Sequence, residues 1–203
     1  MMLRMTTQRR QFTFRLLAVL GTLGGSLPIW AKSSLPVLLA QNAPKGIDPT
    51  GYLVSEKLDG VRALWDGSVL RFRSGRTIAA PAWFTSKLPA TPLDGELWLA
   101  RGQFDALSGT VRKAQPVDAD WQQVKYMVFE LPQGSGSFAQ RAAQLQRVVQ
   151  AAAWPALQAV QQFAVANPAA LQAKLKSTTA AGGEGLMLHL ASAPVSTGRS
   201  DVL

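Results

Sequence analysis

The chain has 203 residues, no cysteine and a single histidine, His189. Disulfides, thiolate metal sites and thiol nucleophiles are therefore excluded, and one imidazole is too few for a His-rich metal cluster and argues against a Ser-His-Asp triad. With 47% hydrophobic and 16% charged residues, the composition is that of one globular domain, or one domain with a short appendage. Five of the 21 basic residues and none of the 12 acidic ones lie in residues 1–40, so the net charge of +9 falls to +4 in the remainder. That balance suits a polyanionic partner.

The N-terminal MMLRMTTQRRQFTFR is basic, and the apolar LLAVLGTLGGSLPIWA follows it. This order reads as an export signal, with Arg9-Arg10-Gln11-Phe12 resembling a twin-arginine address. The run is broken by Gly and Pro and is short for a stable membrane span. Cleavage after Ala31 or after Ala40 is equally compatible with the residues, and a retained membrane anchor is the competing reading. Either way the sequence places the working part from about Gln41 onward, outside the cytoplasm. A Sec or twin-arginine-like route makes it periplasmic, with no stable membrane association after cleavage.

Gln41 to Thr50 is a lead-in punctuated by Pro and Gly. Tyr52–Lys57 reads as a strand. Val61–Trp65 and Val69–Arg73 flank Asp66-Gly67, a hairpin signal. Leu93–Ala100 is a further strand with a break expected at Asp94-Gly95. Val124–Leu131, rich in aromatic and β-branched residues and ended by Pro132, reads as a buried strand. From Phe138 to about Ala153 the apolar residues recur at helical spacing, and Pro155 stops the run. Leu157–Val165 is ambiguous between strand and helix. Asn167-Pro168 opens a second helix to about Ala181, which Gly182-Gly183 ends. Glu184–Leu190 reads as a strand. Strands outnumber helices, so the fold class is α+β with a mostly antiparallel sheet.

Four polar groups interrupt these strands beside glycines or at strand ends: Lys57 before Asp59-Gly60, Asp94-Gly95-Glu96, Phe129-Glu130, and Gly182-Gly183-Glu184-Gly185. Strand ends hold side chains rigidly, and glycine lets a ligand approach the backbone. Carboxylates hold Mg²⁺, a ring stacks on a base, and a deprotonated lysine amine attacks phosphorus. Together they suggest a nucleotide site. Singly, each has an ordinary explanation: Lys57 as a solvated strand-end residue, Asp94-Gly95 as a turn, Phe129 as core, Glu184 as a loop residue. His189 reads as structural, a lone histidine whose ring is satisfied by the backbone. Trp65, Trp83 and Trp98 read as core or rim packing.

The order of these places carries a resemblance. SEKLDGVR resembles the first motif, Lys-x-Asp-Gly-x-Arg, of the covalent nucleotidyltransferases: DNA ligases, RNA ligases and mRNA capping enzymes. RFRSGR, LDGELW, MVFELP and GGEGLMLH resemble the motifs that follow it, in family order. The chain is most similar to the minimal ATP-dependent DNA ligases of bacteria that carry an export signal, over nearly all of residues 45–203. The resemblance implies an adenylation domain in residues 41–203, acting with ATP as AMP donor and Mg²⁺ or Mn²⁺, on nicked double-stranded DNA, as a monomer. It implies Lys57 as the nucleophile that takes AMP, Arg62 on the ribose, and Arg73 on the phosphate of the nick or the AMP. It further implies Glu96 on the ribose or a metal, Phe129 stacked on adenine, Glu184 on the metal and Arg199 on DNA. RNA ligation, GMP transfer, and an inactive fragment that still binds nucleotide or DNA are the competing functions.

Two departures from the family pattern stand out. Glu130 occupies a position where relatives usually have Asp. After GRS, relatives continue into a Lys-x-Lys motif and an OB domain, whereas this chain stops at Leu203. The expectation is a catalytic domain truncated before that motif, poorly active or inactive on its own.

Overall fold

The computed structural model describes residues 35–200 together with 202 and 203. The segments read as an export signal lie outside the described residues. Among the described residues no helix is long and apolar enough to cross a membrane.

The first strand, β1, covers only Leu38–Leu39. It lies within the segment expected to be removed or to serve as lead-in, and this corrects the boundary set at residue 41. Val37 and Leu38 are buried, so the folded unit reaches back at least to Leu35. Strand β2, Tyr52–Lys57, ends at Lys57 as expected. Strands β3, Val61–Trp65, and β4, Leu70–Phe72, pair antiparallel around Asp66-Gly67. Gly67 has a φ of 102°, a left-handed conformation that favours glycine. The Asp66 carboxylate accepts from the Ser68 and Val69 N–H groups and closes the turn.

After the one-turn helix α1, Ala82–Thr85, strand β5 runs unbroken over Leu93–Trp98. The break expected at Asp94-Gly95 is instead a register shift against the neighbouring strand β6, Lys125–Glu130. Between them lie the helices α2, Phe104–Val111, and α3, Asp118–Trp121. Helix α4, Phe138–Ala152, carries a full capping box in which Ser137 and Gln140 exchange side-chain and backbone hydrogen bonds. The ambiguous segment resolves into a short strand, β7, Leu157–Ala159, parallel to β6. Helix α5, Pro168–Ala180, has Asn167 as its N-cap and Pro168 in its first turn, as the sequence predicts. Strand β8 is Gly185–Leu190, and β9 is Gly198–Arg199.

The strands form a five-stranded sheet in the order β4-β3-β5-β6-β7, an antiparallel pair β2-β8, and a parallel pair β1-β9. The class is α+β, as expected, with two parallel pairings among otherwise antiparallel ones. Strand periodicity sorts the large sheet into two faces. One face packs Ala63, Leu93, Leu97, Tyr126 and Val128 into the core with Phe84 and Trp121, whose rings meet edge to face at 4.8 Å. The other face carries Arg62, Asp94 and Glu96. The segment after β7 stitches this sheet to β2, because Val54 and Phe163 exchange both backbone hydrogen bonds.

Glu130 finds its explanation here. Its carboxylate takes two parallel hydrogen bonds from Arg141 of α4, at 2.8 and 2.7 Å. Arg141 is 1% exposed and also donates to the carbonyls of Gly136 and Ala193. The pair joins β6, the start of α4 and the loop after β8. Among the described residues His189 lacks the backbone partner expected of its ring. It stacks on Phe138 with ring centroids 3.6 Å apart, and its buried Nε2 has no partner among the described residues. Desolvation, with the Arg141 charge, pushes its pKa down to about 4, so the ring is neutral.

Removing one partner of a buried pair strands the other charge. Arg141→Ala is expected to destabilise the fold by about 3–5 kcal/mol in urea unfolding. The double variant Arg141→Met with Glu130→Leu is expected to recover most of that loss.

Candidate active site

The face of the large sheet that bears Arg62, Asp94 and Glu96 looks across a cavity of about 440 Å³ at the β2-β8 pair. In that pair Lys57 stands opposite Gly185 and Ser55 opposite Met187, so one face presents both toward the same space. Lys57, Arg62, Glu96, Phe129 and Glu184 all line this cavity. The sequence separates them by up to 127 positions, and the two-sheet arrangement gathers them.

Lys57 and Glu184 form an ion pair at the mouth, with side chains 47% and 37% exposed. Glu184 immediately precedes β8, and the turn that delivers it is fixed from behind. Gly182 adopts a φ of 83° after α5, and Gly183 donates to the Thr178 carbonyl. Arg101 makes two hydrogen bonds to Glu56, at 2.8 and 2.7 Å, and a third to the Ala181 carbonyl. The Arg101 guanidinium holds the Glu56 carboxyl below the usual carboxylate range. The turn before Glu184 is thereby tied to the strand that ends in Lys57.

Arg62 is held from two sides. Its Nε and Nη2 donate to the two Asp94 oxygens at 3.0 and 2.6 Å, and its Nη1 donates to the Leu38 carbonyl at 2.7 Å. The guanidinium stands 5.4 Å from the centroid of the Phe129 ring. The pairing of β5 with β6 shifts register at Phe129. Asp94 pairs with Glu130 and Gly95 with Val128, so Phe129 is the extra residue of a bulge. Val128 faces the core, so Phe129 follows the strand's alternation onto the cavity side, and the bulge brings Glu130 to the cavity lining as well. Gly95 is required at that point, because a Cβ would lie 2.6 Å from the Met127 carbonyl oxygen. Gly60 is required for a similar reason: a Cβ there would meet Glu96 Cγ at 2.6 Å and the Leu97 carbonyl oxygen at 2.4 Å.

Glu96 is strongly altered by its surroundings. Desolvation pushes its pKa up to about 8, against the opposing attraction of Arg62. Its carboxyl therefore keeps its proton near neutrality. Among the described residues no group of three or more His, Asp or Glu could hold a metal alone. Mg²⁺ typically takes one or two carboxylates and completes its shell with substrate phosphates and water. Glu96 and Glu184 on one cavity fit that pattern.

Arg73, expected on the phosphate of the nick or the AMP, and Arg199, expected on DNA, both lie outside the cavity. Arg73 is exposed beyond β4 and borders a separate hollow with Leu35, Val37 and Thr197. Arg199 is exposed on β9, its Nη1 3.4 Å from the Ala40 carbonyl oxygen. Neither lines the main cavity. Conversely, sequence reasoning missed Asp94 as the partner of Arg62, the Leu38 carbonyl, and Arg101. The alternation Leu93-Asp94-Gly95-Glu96 held a signal for Asp94, since residues two apart share a face.

Against known proteins, no family model matches the chain. A curated DNA ligase of Haemophilus influenzae is 32% identical over 150 residues, covering 74% of this chain and 55% of the relative. A solved structure of a Lig E DNA ligase, described as binding DNA with a minimal scaffold, is 41% identical and superposes with a TM-score of 0.77. The match covers 82% of this chain and 66% of that one. The chain belongs to the DNA ligase family, with the minimal Lig E type as its likeness. Chlorella virus DNA ligase-adenylate shares the fold at 16% identity and a TM-score of 0.68, over 84% of this chain and 66% of the viral one. The bacteriophage T7 ligase in complex with ATP does so at 17% identity and 0.60, over 81% and 66%. This ligase-family chain thus has the architecture of an adenylation domain. It spans a little over half the length of the curated relative it matches and about two thirds of each of these structures.

The Glu96 carboxyl yields a stability prediction. In the unfolded chain it ionises near 4.5, whereas in the fold it holds its proton up to about 8. Between those values the folded state binds the extra proton, so stability falls as pH rises. Glu96→Gln removes that loss. Its melting temperature relative to the parent is expected to climb between pH 5 and pH 8, read by thermal unfolding at a series of pH values.

Proposed function

We propose that this chain is the adenylation domain of an exported ATP-dependent DNA ligase, charged with AMP on Lys57. The observation that carries the reading is the convergence of Lys57, Glu184, Glu96, Arg62 and Phe129 on one cavity. The relatives supply the rest: one solved structure is a ligase-adenylate, another holds ATP, and a third is described as binding DNA.

In this reading the purine enters between Phe129 of β6 and Met187 of β8, and the α-phosphate lies toward Lys57. The Lys57 amine, relieved of its proton, attacks the α-phosphorus. A nitrogen–phosphorus bond forms, the bond to the bridging oxygen breaks, and pyrophosphate leaves. Glu184, already paired with the amine, is placed to orient it. Arg62 has five N–H donors, and the three already engaged hold its plane fixed for the ribose. A divalent cation held by Glu184 and Glu96 with the phosphates of ATP would neutralise charge on the triphosphate. Positioning and electrostatics supply most of phosphoryl-transfer catalysis, and strand ends give both.

The AMP then passes to the 5′-phosphate of a nick, and the 3′-hydroxyl displaces it. Arg73 and Arg199, exposed and outside the cavity, are assigned to the DNA backbone. We assign to this chain the self-charging step, with sealing of the nick as the use of the AMP it carries. GMP transfer and RNA ligation remain the alternatives that competition by GTP, and an RNA nick, distinguish.

The chain incubated with α-labelled ATP and Mg²⁺ is expected to retain label through denaturation. Lys57→Ala is expected to lose it entirely, and Glu184→Ala to lower its rate by about a hundredfold, the scale of one electrostatic contact to a transition state. Label that persists in Lys57→Ala would overturn the assignment.

A further inference from the structure

The segment Leu35–Ala40 does more than lead into the fold. Its backbone is sewn in along its length: Leu35 N–H donates to Arg73, Gly198 N–H to Val37 and Ser200 N–H to Leu39, at 2.9, 2.9 and 3.2 Å. Gln41 N–H, just beyond, donates to Leu203 at 3.0 Å. Val37 and Leu38 are its apolar anchors, each 7% exposed. Pro36, Val37, Leu38 and Ala40 line the same cavity as Lys57 and Glu96. The Leu38 carbonyl is the third point that fixes Arg62, opposite Asp94. The two exposed arginines assigned to DNA also meet the segment, Arg73 through its carbonyl and Arg199 through its guanidinium.

We infer that Leu35–Ala40 is a working wall of the nucleotide site, positioning Arg62 through the Leu38 carbonyl, and that any N-terminal processing stops before Leu35. This inference rests on the nucleotide reading of the cavity. A carbonyl that binds a guanidinium cannot be replaced by water without freeing the side chain to rotate, because Asp94 alone holds one edge. Of the two cleavage points compatible with the sequence, cutting after Ala31 keeps the wall and cutting after Ala40 removes it.

The test uses the full chain with residues 35–40 replaced by a Gly-Ser repeat of equal length. A fluorescent peptide of residues 33–42 serves as the second reagent. The replaced chain is expected to capture the peptide, seen by anisotropy, and the parent chain is not. Calorimetric ATP binding is expected to be about tenfold or more weaker in the replaced chain, the scale of one lost hydrogen bond to a charged group, and to return when the peptide is bound. Leu38→Gly is expected to weaken ATP binding in the same direction, and Val117→Ser, exposed and outside the cavity, to bind ATP as the parent does. If the replaced chain does not fold, Leu38→Gly decides. Parent-level ATP affinity in the replaced chain or in Leu38→Gly, or no capture of the peptide by a folded replaced chain, overturns the inference. Capture of the peptide with no ATP binding by the parent chain overturns the nucleotide reading instead.

Discussion

The antiparallel pairing of β2 with β8 is what the rest of the molecule is arranged around. Its register sets Lys57 opposite Gly185, which leaves Glu184 beside the lysine amine and opens the space between them because Gly185 has no side chain. A slip of β2 by one residue would turn Lys57 and Ser55 together to the opposite face, away from Met187 of β8, since alternate residues of a strand share a face. The hydrogen bonds between Val54 and Phe163 then lock this pair against the larger sheet. The cavity is the gap those two sheets leave.

Three arginine–carboxylate pairs hold the rim of that gap: Arg62 with Asp94, Arg101 with Glu56, and Arg141 with Glu130. Each uses two parallel hydrogen bonds, a geometry that fixes orientation as well as distance. Their value is not primarily in stability, since desolvation offsets much of the attraction in the buried Arg62 and Arg141 pairs and solvent screens the exposed Arg101 pair. They fix angles. Arg62 is fixed for a ligand, Arg101 fixes the turn before Glu184, and Arg141 fixes the end of β6 beside the Phe129 bulge. Longer-range order thus depends on short, directional contacts placed at strand ends.

Much of this was legible in the sequence, for physical reasons that can be named. β2, β3 and α4 followed their periodicities because each buries one face and no competing pattern interrupts it. Asn167-Pro168 announced α5 through the chemistry of a helix start. The residues gathered at the cavity could be singled out because a charge within an apolar strand demands a reason. Other features were not legible. The bulge at Phe129 depends on how β5 and β6 pair, which no local spacing encodes, so a bulge was read as a break. β1 is two residues long, and its only signal is the apolar Val37-Leu38-Leu39 beside a proline. It was assigned to the lead-in because its partner, β9, lies some 160 residues away. Glu130 looked like a departure until Arg141, eleven residues on, supplied its partner. Short helices such as α1 and α3 are set by packing around Phe84 and Trp121 and carry too few residues to show a period.

The central claim is that the β2-β8 register delivers one amine to a phosphate held in this cavity. The most direct measurement is a crystal structure of the chain grown with ATP and Mg²⁺. The account predicts electron density continuous from Lys57 Nζ to the phosphorus of AMP, with the purine between Phe129 and Met187. Nucleotide bound away from this cavity, or density joining AMP to another side chain, would contradict it.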